Sequence, residues 1–416
     1  MLKELKMSIH RRVKLTAVIV SMVGVLLVSV SSSHAVEAKT TIITVPRGDV
    51  EALYAALYGE NGAPRDNVEI NLEAGVFILD PSKPFDGRLV LGDKSILRST
   101  LKMAVDDNGV PELNENDEPI VLQEGAKIDG SGLIPAAFGE GIIMVGNKGL
   151  VEQLWVDGGF RPGVEITAKG TVSKVASTDH SIGFRVRAAG QKTQATLEGN
   201  LAAGNGIYGI GVIAVDPDLD HPTGSDVDVQ ATLDRNASEN NGTVNLFTHG
   251  GIGTDDSKVH VQAFHNVFRG GALLANVRSI GGFDYRAQGG ANNNQMTLTL
   301  VDNLIANGEV GIRVEGGTLN TGFLSDPSIP LDDRKSSNNE VKVNISNTTF
   351  QNNVFDIVAY GALSLTGEPG GDNNKVKVVI QNDKAPELTI ETHDCYPEGN
   401  FLSCTNVAII HGPSER

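Results

Sequence analysis

Residues 338–347 read NNEVKVNISN, and this stretch contains the pattern that decides the fold. A polar turn opens onto Val341, Val343 and Ile345, which alternate with polar residues. Alternation of this kind is typical of a β-strand that buries one face and exposes the other. The stretch therefore predicts a short strand that follows an asparagine turn.

Three other places in the chain repeat this pattern at unequal intervals. The copies begin at Asp255-Asp256, Asn293-Asn294 and Asn373-Asn374. Their alternating apolar positions are Val259, Val261 and Ala263; Met296, Leu298 and Leu300; and Val376, Val378 and Ile380. Self-similarity of this kind indicates stacked units that bury their apolar faces against one another. Stacked strands that run in one direction make a parallel β-helix. The alternative fold is a sandwich or a propeller, and the unequal intervals count against a propeller.

The composition agrees with a narrow aliphatic core. Glycine accounts for 48 of the 416 residues, while aromatic residues make up only 5%. The net charge is −17, which disfavours nucleic acid as a partner because its phosphate backbone is also negative. The sequence leaves the oligomeric state open.

The N-terminus has the features of a secretory signal peptide. Basic residues precede the apolar run from Leu15 to Val30, and small residues follow it up to Ala35. We expect residues 1–35 to be removed and the mature chain, without a transmembrane segment, to be secreted, periplasmic or on the cell surface. The predicted organisation continues with residues 40–135 as cap and first coils, 136–390 as further coils, and 391–416 as a tail.

Two local features complete this organisation. Asp49 is a plausible N-cap for a short amphipathic helix that would close the open end of the stack. Residues 104–119 are acidic and rich in turn residues, so we expect a surface loop. Cys395 and Cys404 are the two cysteines, and in an oxidising compartment they would form one disulfide; a pair of reduced thiols is the alternative.

The chain resembles right-handed parallel β-helix proteins of the pectin lyase-like superfamily. The resemblance is carried by the opening Thr41–Leu57, by the phrase Ile70–Phe77, which is similar to the first coil of that group, and by the later asparagine-rich rungs. It covers nearly all of the mature chain and implies an all-β, right-handed parallel β-helix with a short N-terminal capping helix. The superfamily includes polysaccharide lyases, glycoside hydrolases, epimerases, esterases and adhesins, so the resemblance matches no single activity.

Alignment of the Gly-hydrophobic-x-hydrophobic stretches predicts an outward ladder of polar residues. The ladder would carry Glu165, Arg185, Arg187, Asn245, Asn276, Arg278, Arg313, Glu315 and Tyr360. The resemblance to lyases, in which an arginine serves as base, implies Arg278 and Arg313 as catalytic candidates with Glu315. Arg185, Arg187, Asn245, Asn276, Tyr360 and His249 would then bind substrate. The alternative is that Glu165 pairs with Arg185 and Glu315 with Arg278, which would keep an exposed sheet soluble.

A second group of candidates is His249 with Asp255 and Asp256. Polygalacturonase-like hydrolases use aspartates and a His-Gly, but in the opposite order to that found here. Asp255 and Asp256 are also the candidate ligands for calcium, which lyases of the superfamily often use to neutralise a uronate. The alternative is that both residues occupy the turn that asparagines fill in the other copies.

Two functions remain open from the sequence. The first is an exported carbohydrate-active or carbohydrate-binding protein that is lyase-like on an extended glycan, with a polysaccharide or a cell-surface glycan as the expected partner. The second is a non-catalytic surface or matrix protein that binds a partner along its flat face.

Overall fold

The computed structural model describes residues 40–188, 192–215, 227–271, 273–284, 291–319, 336–364, 373–381, 388–396 and 407–411. The proposed signal peptide, residues 1–35, lies outside these ranges. Three parallel sheets account for nearly all of the described strands. A chain that runs repeatedly through the same three sheets is a parallel β-helix, and right-handed crossovers are the rule for parallel strands. The right-handed parallel β-helix predicted from the sequence is confirmed.

The three sheets are named in the order in which one coil visits them. Sheet 1 contains twelve strands: β1 (Thr41–Val45), β2 (Val68–Leu72), β5 (Ile96–Arg98), β10 (Gly149–Glu152), β13 (Lys169–Ser173), β16 (Thr193–Glu198), β19 (Asp228–Asp234), β22 (Lys258–Phe264), β25 (Gln295–Val301), β28 (Glu340–Ser346), β31 (Lys375–Gln381) and β33 (Val407–His411). Sheet 2 contains nine short strands: β3 (Gly75–Ile78), β8 (Ala126–Asp129), β11 (Trp155–Asp157), β14 (Ala176–Thr178), β17 (Leu201–Ala203), β20 (Ala237–Glu239), β23 (Val267–Arg269), β26 (Leu304–Ala306) and β29 (Thr349–Gln351).

Sheet 3 contains ten strands: β4 (Leu89–Val90), β9 (Ile143–Val145), β12 (Pro162–Ile166), β15 (Ile182–Ala188), β18 (Tyr208–Val215), β21 (Val244–Ile252), β24 (Ala275–Asp284), β27 (Val310–Leu319), β30 (Phe355–Ser364) and β32 (Ile390–Tyr396). Strands β32 and β33 come from the segment expected to be a tail, and each adds a rung to the stack.

The core fills the interior of the coil with the alternating residues that the sequence predicts. Val341, Val343 and Ile345 of β28 are buried, as are the matching residues of β22, β25 and β31. Neighbouring strands pair in strict register, so that Leu298 lies beside Val343 and Val343 beside Val378. Each apolar side chain therefore packs on its counterpart one rung away, which is how such repeats bury surface that one coil cannot cover alone.

The first end of the stack carries the helix predicted from Asp49. Helix α1 (Val50–Leu57) begins after Asp49, whose carboxylate accepts a hydrogen bond from the amide of Ala52 at 2.9 Å. Leu53, Tyr54, Ala56 and Leu57 are buried. A short 3₁₀ turn (Pro84–Gly87) precedes β4, and the hydroxyl of Tyr54 donates to the carbonyl of Gly87 at 2.6 Å.

The acidic segment 104–119 is more ordered than the surface loop expected from its composition. It lies between two short antiparallel strands, β6 (Lys102–Met103) and β7 (Val121–Gln123), and contains two further antiparallel bridges. Met103 and Val110 pack with Ala176, Leu201 and Ala237, which face outward from sheet 2. The apolar residues of this segment therefore cover sheet 2, a role that its charged composition hides.

Among the described residues, no helix has the length and apolarity required to cross a membrane.

Candidate functional site

The outer face of sheet 3 carries most of the residues singled out in the sequence. One row runs through Arg185, Gly211, Phe247, Arg278, Arg313 and Val358. The adjacent row runs through Arg187, Ile213, His249, Ile280, Glu315 and Tyr360. The predicted ladder is therefore correct for the rungs of β12, β15, β18, β27 and β30.

On the other two rungs the predicted register is wrong by two residues. Asn245 and Asn276 were expected in the outward row, where the structure instead places Phe247 and Arg278. Both asparagines are fully buried at the corner between sheets 2 and 3. The Nδ2 atom of Asn245 donates to Oδ1 of Asn276 at 2.8 Å, and that of Asn276 donates to the carbonyl of Ala306 at 2.9 Å. These side chains stabilise the corner and do not lie on a surface that a substrate could contact.

Glu165 is the centre of the first ion cluster on this face. Its carboxylate is fully buried and accepts hydrogen bonds from Arg185 at 2.8 Å, Arg187 at 2.7 Å and the amide of Gly141 at 2.7 Å. Burial alone would raise the pKa of Glu165, but the two guanidinium groups lower it below its usual value. Arg185 also donates to the carbonyl of Phe138 at 3.1 Å. Loop 130–141 therefore covers this end of the face.

Glu315 is the centre of the second ion cluster. It is fully buried and accepts two hydrogen bonds from Arg278, from Nε and Nη2, each at 2.8 Å. Arg313 donates its Nε to the same carboxylate at 2.6 Å. The predicted pairs of Glu165 with Arg185 and of Glu315 with Arg278 are confirmed. The expectation that they lie on an exposed sheet is wrong, because both carboxylates are inaccessible to solvent.

His249 lies beside the second cluster and is also fully buried. Its Nδ1 accepts a hydrogen bond from the amide of Gly251 at 3.1 Å, and its ring meets Phe247 edge-on at 5.6 Å. Burial, together with the charge of Arg278, lowers the pKa of His249 to about 3. The imidazole is therefore neutral in the folded protein at ordinary pH.

The face is accessible at both ends: the Arg187 side chain is 25% exposed at the end near Glu165, and a second accessible group lies toward the C-terminal end. Arg313 is 15% exposed, and its guanidinium carbon lies 5.1 Å from the ring centre of Tyr360. The ring of Tyr360 stacks on that of His393 at 5.3 Å, and Nε2 of His393 lies 2.6 Å from the carboxylate of Glu391. We call Arg313, Tyr360, His393 and Glu391 the Tyr360 patch. Sequence reasoning found Arg313 and Tyr360 but missed His393, whose strand had been assigned to the tail.

Asp255 and Asp256 occupy a corner between sheets 3 and 1. The carboxylate of Asp255 accepts hydrogen bonds from the amides of Ala291 at 3.0 Å and Asn292 at 2.7 Å. Asp256 has a φ of 57°, the left-handed conformation that Asn293, Asn338 and Asn373 adopt in the other copies. These contacts favour the turn interpretation over the calcium site. Within the described residues, no group of three or more His, Cys, Asp or Glu side chains is placed to hold a metal ion.

The predicted disulfide cannot be placed, because Cys404 and the side chain of Cys395 lie outside the described part of the chain.

The outer face of sheet 1 carries a groove that sequence reasoning missed. It has a volume of about 480 Å³ and crosses five strands, β13, β16, β19, β22 and β25. Its lining is dominated by threonine hydroxyls and glutamine amides. A signal was present in the sequence, since QATL occurs at residues 194–197 and again at 230–233, with Gln and Thr outward and Ala and Leu inward.

Comparison with known proteins gives likenesses of structure alone. No model of a known protein family matches the chain, and no curated protein matches it. The A-module of the mannuronan C-5 epimerase AlgE6 from Azotobacter vinelandii is similar over 90% of this chain and 97% of its own, with 13% identity and a TM-score of 0.35.

Two further solved structures are similar in the same sense. The Dettilon tailspike protein gp208 is 10% identical over 85% of this chain and 68% of its own, with a TM-score of 0.34. A mannuronic acid-specific polysaccharide family 6 lyase from the human gut microbiota is 11% identical over 86% of this chain and 92% of its own, with a TM-score of 0.19. The three parallel sheets of this chain make it a right-handed parallel β-helix. This is the architecture that the resemblance to pectin lyase-like proteins predicts.

Proposed function

We propose that the protein is an exported carbohydrate-active β-helix that binds an acidic polysaccharide at the Tyr360 patch. The observation that carries the proposal is that three consecutive rungs of sheet 3 bring a guanidinium, a phenol and an imidazole into contact. Arginine pairs with carboxylates in a fixed geometry, and a partly exposed aromatic ring offers both an apolar face and a hydroxyl. A uronate sugar presents the matching carboxylate, ring and hydroxyl groups.

The same three groups are the types that β-elimination requires. A base removes the proton from the carbon beside the uronate carboxylate, the electron pair forms the new double bond, and the glycosidic oxygen leaves with a proton from an acid. Histidine is the side chain that most often acts as a general base, and tyrosine can supply the second proton. Arg313 would hold and neutralise the carboxylate. Arg278 is less suited to bind the substrate carboxylate, because two of its donors already bond to Glu315.

The test is turnover and binding on a panel of uronate polymers, namely alginate, pectate and hyaluronan, each with and without calcium. Lyase activity generates unsaturated products that absorb in the ultraviolet. We expect Arg313→Ala, Tyr360→Phe and His393→Ala to lower activity by roughly 10²-fold or more, which is the usual size of a general acid or base contribution and of one lost electrostatic contact to the transition state. Arg235→Ala is the matched control, because Arg235 is an exposed, ion-paired arginine away from sheet 3.

The alternative function is a non-catalytic protein that binds a partner through the same face. It predicts binding of an acidic polymer that Arg313→Ala weakens, with no unsaturated product from any substrate in the panel. Absence of both turnover and binding on the whole panel contradicts the proposed function. Export is tested separately by N-terminal sequencing of the mature protein, whose sequence should begin near residue 36.

A further inference from the structure

The groove on sheet 1 is a regular array of hydrogen-bonding side chains. One outward row reads Lys169, Gln194, Gln230, His260 and Thr297. The row beside it reads Thr171, Thr196, Thr232, Gln262 and Thr299. Adjacent strands of a sheet are about 4.8 Å apart, so each row repeats a polar group at that spacing along the axis of the β-helix.

Most of these side chains are half-buried, and some of them contact the next rung. The Nε2 atom of Gln194 donates to Oε1 of Gln230 at 3.0 Å. Beyond the last rung of the groove, Nδ2 of Asn344 lies 3.4 Å from Oγ1 of Thr299. Such contacts hold the side chains in fixed directions, so that their remaining donors and acceptors are oriented before a ligand arrives.

The lining argues against a protein or a nucleic acid as occupant. Protein interfaces depend on large apolar or aromatic anchors, whereas the apolar residues of this lining, Gly170, Ala195, Ala231 and Val261, are small and buried. Nucleic acid requires many positive charges to neutralise its phosphates. Lys169 and His260 are the titratable residues of the described lining, in a chain whose net charge is −17.

We propose that this groove is a second glycan-binding site, which takes an uncharged polysaccharide extended along the helix axis. Threonine hydroxyls and glutamine amides both donate and accept hydrogen bonds, as sugar hydroxyls do. A linear glycan repeats its hydroxyl groups at intervals of about one sugar ring, which is similar to the spacing of the rungs. The site lies on sheet 1, so it is separate from the acidic-polysaccharide site proposed on sheet 3.

The experiment is affinity electrophoresis of the full mature protein in gels that contain hydroxyethyl cellulose, laminarin, galactomannan or dextran. We expect retardation by at least one of these neutral polymers. The double variant Thr196→Val/Thr232→Val removes two hydroxyls from the centre of the groove and keeps the branched side chains. The dissociation constant for the retarding polymer should rise roughly tenfold or more, as expected for two lost hydrogen bonds.

Controls separate this site from the fold and from the Tyr360 patch. Thr44→Val removes a hydroxyl from the exposed outer face of β1 on the same sheet, outside the groove, and should leave retardation unchanged. Thr196→Ser/Thr232→Ser keeps both hydroxyls and should retain binding, even if the valine variant is less stable. Arg313→Ala should have no effect on the neutral polymers.

Three results would overturn the inference. They are no retardation by any neutral polymer, retardation that the valine variant leaves unchanged, and retardation that Arg313→Ala abolishes. None of these results affects the turnover and binding assays on uronate polymers, which test the proposed function separately.

Discussion

Glu315 holds together the charged side chains at the centre of sheet 3. It is fully buried, and it carries three of the hydrogen bonds that satisfy Arg278 and Arg313. A buried carboxylate in this position compensates the cost of removing two guanidinium groups from water. Its contribution is therefore best measured by removing it and leaving the arginines without their partner.

We predict that Glu315→Ala lowers the free energy of unfolding by about 3–5 kcal/mol, the usual cost of breaking a buried ion pair. Chemical denaturation of the purified variant measures the change. Glu198→Ala is the matched control because Glu198 forms an ion pair with Arg235 at 2.7 Å but is 44% exposed. We expect the control to cost no more than about 1 kcal/mol. Equal losses in the two variants would show that burial does not determine the strength of these pairs.

At the residue scale, the sequence predicts which charges meet but not whether water reaches them. Glu165 lies directly beside Arg185 on the next rung, and Glu315 lies diagonally across from Arg278, so adjacent rungs bring opposite charges within reach of each other. Their burial depends on other segments, such as loop 130–141, whose carbonyl groups accept hydrogen bonds from Arg185. No periodic pattern in the sequence predicts where such a loop folds back.

A ladder of stacked asparagines joins sheet 1 to sheet 2. Asn200, Asn236, Asn266 and Asn303 are buried at successive copies of a two-residue corner. The Oδ1 atoms of Asn236, Asn266 and Asn303 each accept from the backbone amide of the previous member, at 2.8 to 3.0 Å. The Nδ2 atom donates back to a carbonyl of the rung below, as Asn236 does to Leu197 at 2.9 Å. The side chains thus satisfy backbone groups that the tight corner would leave unpaired.

We predict that Asn236→Ala lowers the free energy of unfolding by about 2–5 kcal/mol. The variant leaves the amide of Asn200 and the carbonyl of Leu197 buried without these partners, and each unsatisfied group costs about 1–3 kcal/mol. Asn344→Ala is the control, since Asn344 lies on the half-buried outer face of β28 and makes one long contact with Thr299. Denaturation midpoints of the two variants measure both losses of stability. An equally large loss for Asn344→Ala would show that the hydrogen bonds of the ladder do not account for the effect of Asn236→Ala.

At the element scale, the register error has a specific cause. The strand pattern predicts alternation in β21 and β24, but Asn245 and Asn276 also fit an outward position in that alternation. The corner that precedes these strands takes both asparagines into its own hydrogen bonds, and this moves the outward row two residues along the chain. Alternation alone fixes which face a side chain occupies, but it does not fix the pairing partner.

For the whole molecule, two buried histidines connect folding to pH. Burial lowers the pKa of His249 to about 3 and also lowers that of His180 below its ordinary value of 6.5. Both rings are neutral in the folded protein, whereas in the unfolded chain they take up protons below about pH 6.5. The stability that these residues contribute is therefore complete above pH 6.5 and falls as the pH drops toward their folded values.

We predict that His249→Gln reduces the loss of stability on acidification between about pH 6.5 and 4.5. The expected change in slope approaches one proton, or about 1.4 kcal/mol per pH unit. Denaturation midpoints measured at several pH values provide the test. Glu239 has a raised pKa because it is buried, so it acts in the opposite direction in all three proteins, and only the difference between the slopes reports on His249. His260→Gln, on the exposed face of β22, is the control. Identical slopes for all three proteins would exclude the proposed coupling.

The asparagine ladders keep their geometry although their members are unevenly spaced in the sequence. Successive partners are separated by 36, 30 and 37 residues at one corner, and by 45 and 35 at another. From β10 to β29 the corner between sheets 1 and 2 stays short, so in these coils the variation in length falls mainly after sheet 3. Residues can be gained or lost there without shifting a single rung. Natural insertions and engineered domain fusions would therefore destabilise the fold least at this one edge of the coil.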